Sequence, residues 1–279
     1  MKKNQAVAVK ILSALSMTLT IVIIIYLIGF ILINGGHKIN SNFIFSMPKG
    51  MPLGKEGGVY PAIIGSLSFG AVAIISSGIL SLSVSLYTCF YCESKKMLHI
   101  LRTIIGILAG IPSIVLALFG YGFFVVQLNF GLSILSGGLV LGIMIFPYIE
   151  IRLEKIFLEV DRQMLLASYA LGINKTHTIF TLVLPQTLMK IISSFCLGLS
   201  LALGASAPIL ITGAITYGKI PKSIMSPAMA LPVHLYYLIA EGVSTQQAYK
   251  TAFILITILL FLNLIPFIFS GKTDFKHRR

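Results

Sequence analysis

Long runs of apolar residues recur along this chain of 279 residues, and they restrict its fold more than any other feature of the sequence. A helix of about 18 or more apolar residues is long enough to cross the hydrocarbon core of a bilayer. Hydrophobic residues make up 57% of the chain and charged residues only 10%, which excludes an ordinary soluble domain. The sequence therefore predicts an all-α membrane protein. Its six transmembrane helices are placed at 11–33, 63–89, 103–126, 132–151, 187–212 and 251–269.

The distribution of lysine and arginine predicts the orientation of these helices. In a soluble protein a net charge of +13 would suggest nucleic acid, but in a membrane protein basic residues concentrate on the cytoplasmic side. With a cytoplasmic N-terminus, 15 lysines and arginines fall in inner segments and 6 in outer ones. We therefore expect both termini in the cytoplasm, a basic tail at 271–279 on anionic lipid, and no nucleic-acid partner. The first apolar run is too long for a signal-peptide core, so we expect it to be retained.

A polar stretch at about 152–186 separates the fourth predicted span from the fifth. Such a stretch does not fit in hydrocarbon, where unpaired polar groups are costly. We predict a short helix at 165–171, a left-handed stop at Gly172, and a second amphipathic helix to Val183, with Pro185 at the start of the next membrane helix. This arrangement is a helix-turn-helix elbow on the membrane surface; an ordinary helical loop is the alternative. Apolar residues available for packing in the elbow are Leu165, Ala167, Leu171, Ile179 and Leu182.

Small residues recur four positions apart within several predicted spans, and they indicate close packing of helices. Pro112 predicts a kink in the third span. The first outer loop, 34–60, is rich in glycine and proline and is expected to be irregular. A short amphipathic helix at the membrane interface is predicted around 230–236, with Tyr236 and Tyr237 in an aromatic belt and His234 also interfacial. The most regular small-residue series are Ser66, Gly70, Ala73, Ser77, Ser81 and Ser85 in the second span, and Ser194, Gly198, Ala202 and Ser206 in the fifth.

Residues that carry catalytic or redox chemistry are sparse. Cys89 and Cys92 have redox or metal spacing, but no second pair accompanies them, so small apolar fillers are the favoured interpretation. The sequence at 271–273 ends like a phosphate-binding loop but lacks its first glycine, so we expect no ATP hydrolysis by this chain. We expect no acid inside any span, with Glu150 at the inner end of the fourth. Energy for any transport must then come from a partner.

The polar stretch resembles the cytoplasmic signature of ABC-importer permeases, which reads Glu-Ala-Ala, three residues, Gly, nine residues, Ile, one residue, Leu-Pro. In that family the elbow is a coupling helix that docks into a groove of the ATPase subunit. Leu166 and Ser168 stand where the family has Glu and its second Ala, so the carboxylate of that Glu is absent here. The resemblance implies an ATPase-coupling role for Ala167, Gly172, Leu182, Leu184 and Pro185, with Leu182 in the place of Ile.

A second stretch, 204–214, resembles the Gly-Glu-Thr-Ala-Pro-Leu-Leu-x-Thr-Gly sequence of PstA-type phosphate permeases. The stretches at 57–65 and 110–115 are also similar to that family. Family members carry an Arg and a Glu, associated with anion passage, where this chain has Leu201 and Ala205. The resemblance implies a substrate path near the end of the fifth span. Because the family arginine is absent, our hypothesis is that this helix donates hydrogen bonds to the anion and that the partner permease supplies the positive charge. Candidate residues of that path are Gly204, Ser206, Pro208 and Thr212.

The resemblance to PstA-type permeases implies a fold, a division into domains, a location, a set of partners and the absence of a cofactor. The fold would be a six-helix type I, MetI-like permease, with an N-terminal helix and loop at 1–60, a permease domain at 61–270 and a tail at 271–279. The chain would sit in a bacterial plasma membrane and import inorganic phosphate with a PstC-like second permease, a PstB-like ATPase dimer and a PstS-like binding protein. It would hold no cofactor, since ATP and Mg²⁺ bind the ATPase.

Three other functions remain open at this point. The first is import of another anion, such as phosphonate or molybdate, by a permease of the same class. The second is an integral membrane enzyme, which would need a convergent polar cluster that the spans do not supply. The third is a proton- or sodium-coupled carrier, which the expected absence of membrane acids disfavours.

Overall fold

The computed structural model describes residues 2–218 and 220–270, so the predicted tail at 271–279 and Lys219 lie outside the described residues. The described chain is helical apart from one short hairpin, β1 (Pro48–Lys49) with β2 (Glu56–Gly57). The helices are α1 (Lys2–Gly35), α2 (Ser41–Phe45), α3 (Tyr60–Leu86), α4 (Lys95–Gly110), α5 (Ser113–Gly120), α6 (Ile134–Leu158), α7 (Arg162–Ala170), α8 (Lys175–Thr178), α9 (Leu184–Gly204), α10 (Ala207–Leu210), α11 (Leu231–Ala240) and α12 (Thr245–Ser270). Short π-helical turns at Tyr87–Tyr91, Tyr121–Gln127 and Ile179–Val183 adjoin α3, α5 and α9.

Five of the predicted membrane crossings are continuous helices, and the third is broken. The continuous ones are Val9–Gly35, Tyr60–Tyr91, Ile134–Leu158, Lys175–Gly204 and Thr245–Pro266. The third predicted span consists of two helices that meet at 97°, so the expectation of one kinked helix is wrong. The break follows from Pro112, which has no N–H to donate and forces the preceding Ile111 into an extended conformation.

The position of the two halves of the broken span along α6 favours a single crossing of the membrane. Arg102 of α4 pairs with Glu154 near the last turn of α6. The helical run that begins with α5 ends at Gln127, and six residues separate it from the start of α6 at Ile134. The segment 95–127 therefore runs from one end of α6 to the other, a distance of about 37 Å for a helix of this length. With the bent pair counted as one crossing, the candidate spans among the described residues number six, as predicted.

The core of the bundle lies where α3, α6 and α9 pack together. The predicted small-residue face of α3 is buried along its whole length, from Ser66 to Ser85. A Cβ at Gly138 of α6 would lie 2.5 Å from Val72 of α3, so only glycine permits this approach. The prediction that small residues mark helix packing is therefore confirmed for this pair. Large side chains that are almost completely buried in this core include Phe69, Leu141, Ile145, Ile149 and Leu153.

The fifth span ends earlier than predicted. The sequence suggested a helix to Thr212, whereas α9 stops at Gly204 and Ala205 is extended. Pro208 accounts for the stop, because its ring in a continuous helix would clash with the carbonyl of Gly204, four residues before it. After the break, the short helix α10 leads into an isolated parallel bridge between Ala214 and Ala228.

The end of the bundle beyond this break is built from four interlocked segments, 62–66, 131–136, 209–215 and 224–240, which we call the cap. Its backbone groups bond across large sequence separations: Ile134 N–H donates to the Ser226 carbonyl at 3.0 Å, and Ala228 N–H to the Gly213 carbonyl at 3.2 Å. The Ser66 hydroxyl accepts from Leu231 N–H at 2.8 Å. The cap therefore ties α3, α6 and the chain after α9 into one body.

Two predictions about the loops at this end need correction. The loop 34–60 is not irregular, because it contains α2 and the hairpin; the Asn40 side chain caps α2 by accepting from Phe43 N–H. The short helix predicted at 230–236 extends to Ala240 as α11. Within it His234 is buried, not interfacial, and the Tyr237 ring packs edge-on against Tyr217 at 5.1 Å between centroids.

Candidate functional site

The polar stretch folds as the predicted elbow, whose first arm is α7. Asp161 caps the helix by accepting a hydrogen bond from Gln163 N–H at 2.8 Å, so α7 begins three residues before the predicted start. The helix stops at Gly172, as predicted, with φ of +75°. Gly172 N–H donates to the Tyr169 carbonyl and Ile173 N–H to the Ser168 carbonyl, the pair of bonds that defines a Schellman cap.

The second arm of the elbow is part of a membrane helix, which the sequence did not predict. Asn174 caps it by accepting from His177 N–H at 2.7 Å. From Lys175 the chain continues through α8, the π turn and α9 to Gly204 as one apolar helical run. The predicted boundary at Val183 and Pro185 is wrong, because the π turn just before Pro185 keeps the backbone helical where an α-helical bond is lost. A displacement of this arm is therefore transmitted directly into the fifth span.

A few side-chain contacts hold the elbow against the bundle. The hydroxyls of Ser168 and Thr178 lie 3.0 Å apart and are buried, so Ser168, in the place of the second signature alanine, joins the two arms. The hydroxyl of Tyr91, at the end of the second span, lies 3.0 Å from that of Thr176. Lys175 places its ammonium 5.5 Å from the centre of the Tyr91 ring. The elbow thus has one contact that joins its two arms, the Ser168–Thr178 pair, which we call the pin. It has one attachment to the second span, through Tyr91.

The free surface of the elbow is apolar at three points. Leu166 is 56% exposed, Leu171 80% and Phe180 63%. Exposed apolar side chains of this size are available for contact with another protein or with the membrane. Sequence reasoning missed Phe180; its only signal was an aromatic residue within a polar stretch. Of the predicted coupling residues, Ala167, Gly172 and Pro185 are exposed, whereas Leu182 and Leu184 are half-buried against the bundle.

The predicted substrate-path residues all lie around the break between α9 and α10, but they do not share one surface. Gly204 is exposed and Ser206 is partly exposed. Pro208 and Thr212 are buried, and the Thr212 hydroxyl donates to the Pro208 carbonyl. Of these four predicted residues, only Gly204 and Ser206 are therefore accessible from outside the bundle.

An acidic residue is buried within a span, contrary to expectation. Glu150 is 1% exposed. It lies inside α6, which continues to Leu158, seven residues past the predicted end of the fourth span. Both of its carboxylate oxygens lack a hydrogen-bond partner among the described residues, whereas Glu154 accepts two hydrogen bonds from Arg102, at 2.9 and 2.7 Å. The absence of membrane acids thus no longer argues against a proton-coupled carrier.

The two closely spaced cysteines face different partners. The Cys89 thiol donates to the carbonyl of Glu154, and the Cys92 thiol to the carbonyl of Ser94, each at 3.6 Å. Both are free thiols, and the structure assigns them contacts only with backbone carbonyls. Among residues 2–218 and 220–270, no group of three side chains is arranged to hold a metal ion.

Comparisons with known proteins place the chain in a family. Residues 93–275 match the family described as binding-protein-dependent transport system inner membrane component. The probable ABC transporter permease protein YqgI of Bacillus subtilis is 26% identical over 232 residues, which cover 79% of this chain and 78% of that protein. The phosphate transport system permease protein PstA 2 of Mycobacterium bovis is 31% identical over 215 residues, covering 76% and 71%.

A solved structure is similar in fold. An inward-facing structure of the MetNI methionine ABC transporter superposes with a TM-score of 0.60 at 16% identity, covering 76% of this chain and 93% of that chain. The predicted all-α, MetI-like membrane fold is thereby confirmed. Since the family match extends over about two thirds of the residues, from the end of the second span onward, the chain belongs to the binding-protein-dependent transport system inner membrane component family.

Proposed function

We propose that this chain is the PstA-type permease subunit of an ATP-driven importer of inorganic phosphate. One observation supports this above all others: an elbow with exposed apolar side chains continues without a break into a membrane helix. A surface of that kind is suited to a mechanical partner, because force on the elbow displaces the span itself. Relatives named as phosphate permeases, from Mycobacterium bovis and Methanocaldococcus jannaschii among others, support phosphate as the solute.

The partners follow from this role. A PstB-like ATPase dimer binds ATP and Mg²⁺ and holds the elbow through Leu166, Leu171 and Phe180. A PstC-like permease completes the path, and a PstS-like protein delivers the solute at the cap. The elbow then lies in the cytoplasm with both termini, and the cap faces the exterior of a bacterial plasma membrane, in agreement with the excess of basic residues on the elbow side.

The mechanism is alternating access by rigid-body movement. Closure of the ATPase dimer on ATP moves the elbow. The continuous helix from Lys175 to Gly204 carries that movement to the break before Ser206. The cap, which is bonded across four segments, moves as one body, so the path opens on one side as it closes on the other. Release of ADP and phosphate restores the inward-facing state.

Uptake into proteoliposomes that hold the full complex tests the assignment. Labelled phosphate should enter only with ATP inside on the ATPase side, and unlabelled phosphate should compete better than sulfate, molybdate or a phosphonate. Uptake that persists without the ATPase subunit would contradict the importer role. ATP-dependent uptake in which molybdate or a phosphonate competes better would keep the importer and replace its solute, as Leu201 and Ala205 allow.

A further inference from the structure

A cavity of about 340 Å³ opens between α6 and α9 on the half of the bundle that carries the elbow. At ~30 Å³ for each water molecule, it has room for about ten waters, enough for a small oxyanion that keeps part of its hydration shell. On the α6 side the lining includes Tyr148, Arg152 and Lys155, and on the α9 side Ser194 and Leu201. Most of the other lining residues are apolar, and the charged residues of the lining are two cations, with no acidic side chain.

The acids of α6 do not neutralise these cations, because they lie elsewhere on the helix. At 100° for each residue, Arg152 lies on the opposite side of α6 from Glu150. Glu150 and Glu154 are both buried, and Glu154 is held by Arg102 of α4. The acidic side of α6 thus faces the broken third span, and its basic side faces the cavity.

The next acidic residue along the chain, Glu159, is also paired with a cation outside the cavity. Glu159 lies four residues after Lys155, a spacing at which the two would pair, but it binds Lys190 of α9 at 3.2 Å instead. Among the described residues, neither Arg152 nor Lys155 takes part in a salt bridge. The two are three positions apart on one helix, where like charges repel. An anion in the cavity would relieve this repulsion.

The shape of the cavity is set by small residues on α9. A Cβ at Gly198 would lie 2.5 Å from the Cδ1 of Ile149, so the glycine lets the two helices meet at the floor of the cavity. Ser194 is buried beside it, and its hydroxyl donates to the Lys190 carbonyl at 2.9 Å. The small residues of α9 thus leave room for the cavity, and the cationic side chains of α6 give it a positive charge.

We propose that this cavity is a binding site for a soluble oxyanion, with Arg152 and Lys155 as its ligands, at the elbow end of the translocation path. The guanidinium of Arg152 offers two parallel N–H donors to two oxygens of a tetrahedral anion, and the ammonium of Lys155 adds a compact positive charge. The proposal rests on the anion-importing function proposed above and names where the anion is held before its release. Leu201, which replaces the family arginine, lines the same cavity, so in this chain α6 supplies the positive charge.

Thiol modification measures the electrostatic part of the proposal without any transport. In the complete complex, with Cys89, Cys92 and Cys196 replaced by serine, a Leu201→Cys variant places a thiol in the cavity wall. Relative to a free thiol, a negatively charged methanethiosulfonate should react with it at least about tenfold faster than a positively charged one, because a basic cleft concentrates anions. Adding Arg152→Gln and Lys155→Gln should abolish this preference. If the two reagents reacted at equal relative rates in the complex that keeps Arg152 and Lys155, the proposal would be overturned.

Protection separates a soluble anion from a lipid phosphate, which offers the same chemistry. Inorganic phosphate at millimolar concentration should slow the anionic reagent in phosphatidylcholine vesicles, and adding phosphatidylglycerol should change this little. Slowing by phosphatidylglycerol with no effect of inorganic phosphate would assign the cations to lipid and overturn the proposal.

Moving the positive charge from one wall of the cavity to the other tests whether the site serves transport. Arg152→Gln should lower ATP-driven phosphate uptake about tenfold, and Leu201→Arg in the same chain should restore part of it by returning a guanidinium to the cavity. Lys96→Gln, an equal loss of charge on the exposed start of α4, should leave uptake unchanged. Loss of uptake without rescue, or an equal loss in the Lys96 variant, would contradict the proposal. If the unmodified complex imports another oxyanion, the phosphate assignment fails, and that oxyanion replaces phosphate in both assays.

Discussion

The two ends of this bundle are built on opposite principles. The cap is held by backbone hydrogen bonds between segments far apart in the sequence, such as Ile134 to Ser226 and Ala228 to Gly213. The elbow is held by side-chain contacts, among them Ser168 with Thr178, Tyr91 with Thr176, and the burial of Val183 in the core. Segments tied by many backbone hydrogen bonds and buried contacts open at a higher free energy than segments with fewer of them. We therefore expect the cap to be the rigid end of the bundle and the elbow to be the end that moves, which we call the lever.

Both ends contain the same turn, which makes the comparison direct. Gly172 in the elbow and Gly242 just after the cap each end a helix with a positive φ, of +75° and +62°. Each is closed by the same pair of bonds, since Gly242 N–H donates to the Ile239 carbonyl and Val243 N–H to the Leu238 carbonyl. The same substitution at each glycine therefore causes equal local strain. At Gly172 the strain falls in the proposed lever, and at Gly242 it falls outside it.

The largest expected effect is in the cap, at Gly65. A Cβ there would overlap the carbonyl oxygen of Met229, a backbone atom that is tied into the cap. Gly65→Ala should lower the free energy of unfolding by about 3 kcal/mol, at the upper end of overpacking effects, and reduce the yield of folded protein. Thermal unfolding in detergent measures it. Gly106→Ala on α4, where nothing lies within 4 Å, is the matched control and should unfold no earlier than the unmodified chain.

A pH dependence should come next in size, and in the cap it is carried by His234. Burial lowers the pKa of His234 to about 4 from its usual 6.5. Between these values the unfolded chain binds a proton that the folded chain does not, so stability falls as the pH drops from 6.5 to 4. The loss at pH 4 should approach ~3 kcal/mol, because a difference of one in pKa between the folded and unfolded chain corresponds to 1.36 kcal/mol.

The His234 contribution is isolated by comparing melting temperatures at pH 7 and pH 4.5. His234→Leu should flatten the dependence in this window, because it removes the titrating ring. A dependence that survives His234→Leu unchanged would show that other groups carry it.

The paired glycines give a smaller effect that separates strain from function. Gly172→Ala and Gly242→Ala should each cost about 1 kcal/mol, the usual penalty for an alanine in the left-handed region. In the elbow this cost shifts the lever out of its docking shape and should lower ATP-driven uptake about fivefold. The Gly242 variant should lose the same stability and keep its uptake. Equal losses of uptake in both variants would remove the distinction between lever and cap.

The smallest expected effect is that of the pin between the two arms. Ser168→Ala removes the contact with the Thr178 hydroxyl, which still donates to the Asn174 carbonyl at 3.2 Å. The cost should be about 1 kcal/mol or less, as for one buried hydrogen bond whose partner keeps another. A double-mutant cycle with Thr178→Val measures the coupling between them. A coupling energy of zero would show that the arms are joined only by apolar packing.

Much of this architecture could be predicted from the sequence because local physics decides it. The apolar runs place all six crossings, and Gly172 predicts the turn of the elbow because a left-handed residue is needed there. The small-residue face of α3 predicts its burial, since it fits only against another helix. These features depend on residues close together in the sequence.

Features that depend on distant residues could not be predicted. Pro112 announces a bend, but the angle of 97° depends on how α4 and α5 pack on α6. Glu150 lies next to the predicted end of the fourth span, and only the continuation of α6 to Leu158 shows it to be buried. The cation-lined cavity joins Arg152 to Leu201, almost fifty residues apart, and no spacing rule connects them.

The central claim, that the elbow is the lever of an ATPase, is tested most directly by cross-linking in the complete complex. Leu171→Cys and Met51→Cys, each in a chain whose own three cysteines are serine, place a thiol on the elbow and on the hairpin at the opposite end. We expect a short bismaleimide to join the elbow variant, and not the hairpin variant, to the ATPase subunit, with a yield that changes on ATP binding. Cross-linking through the hairpin variant, or none through the elbow variant, would contradict the account.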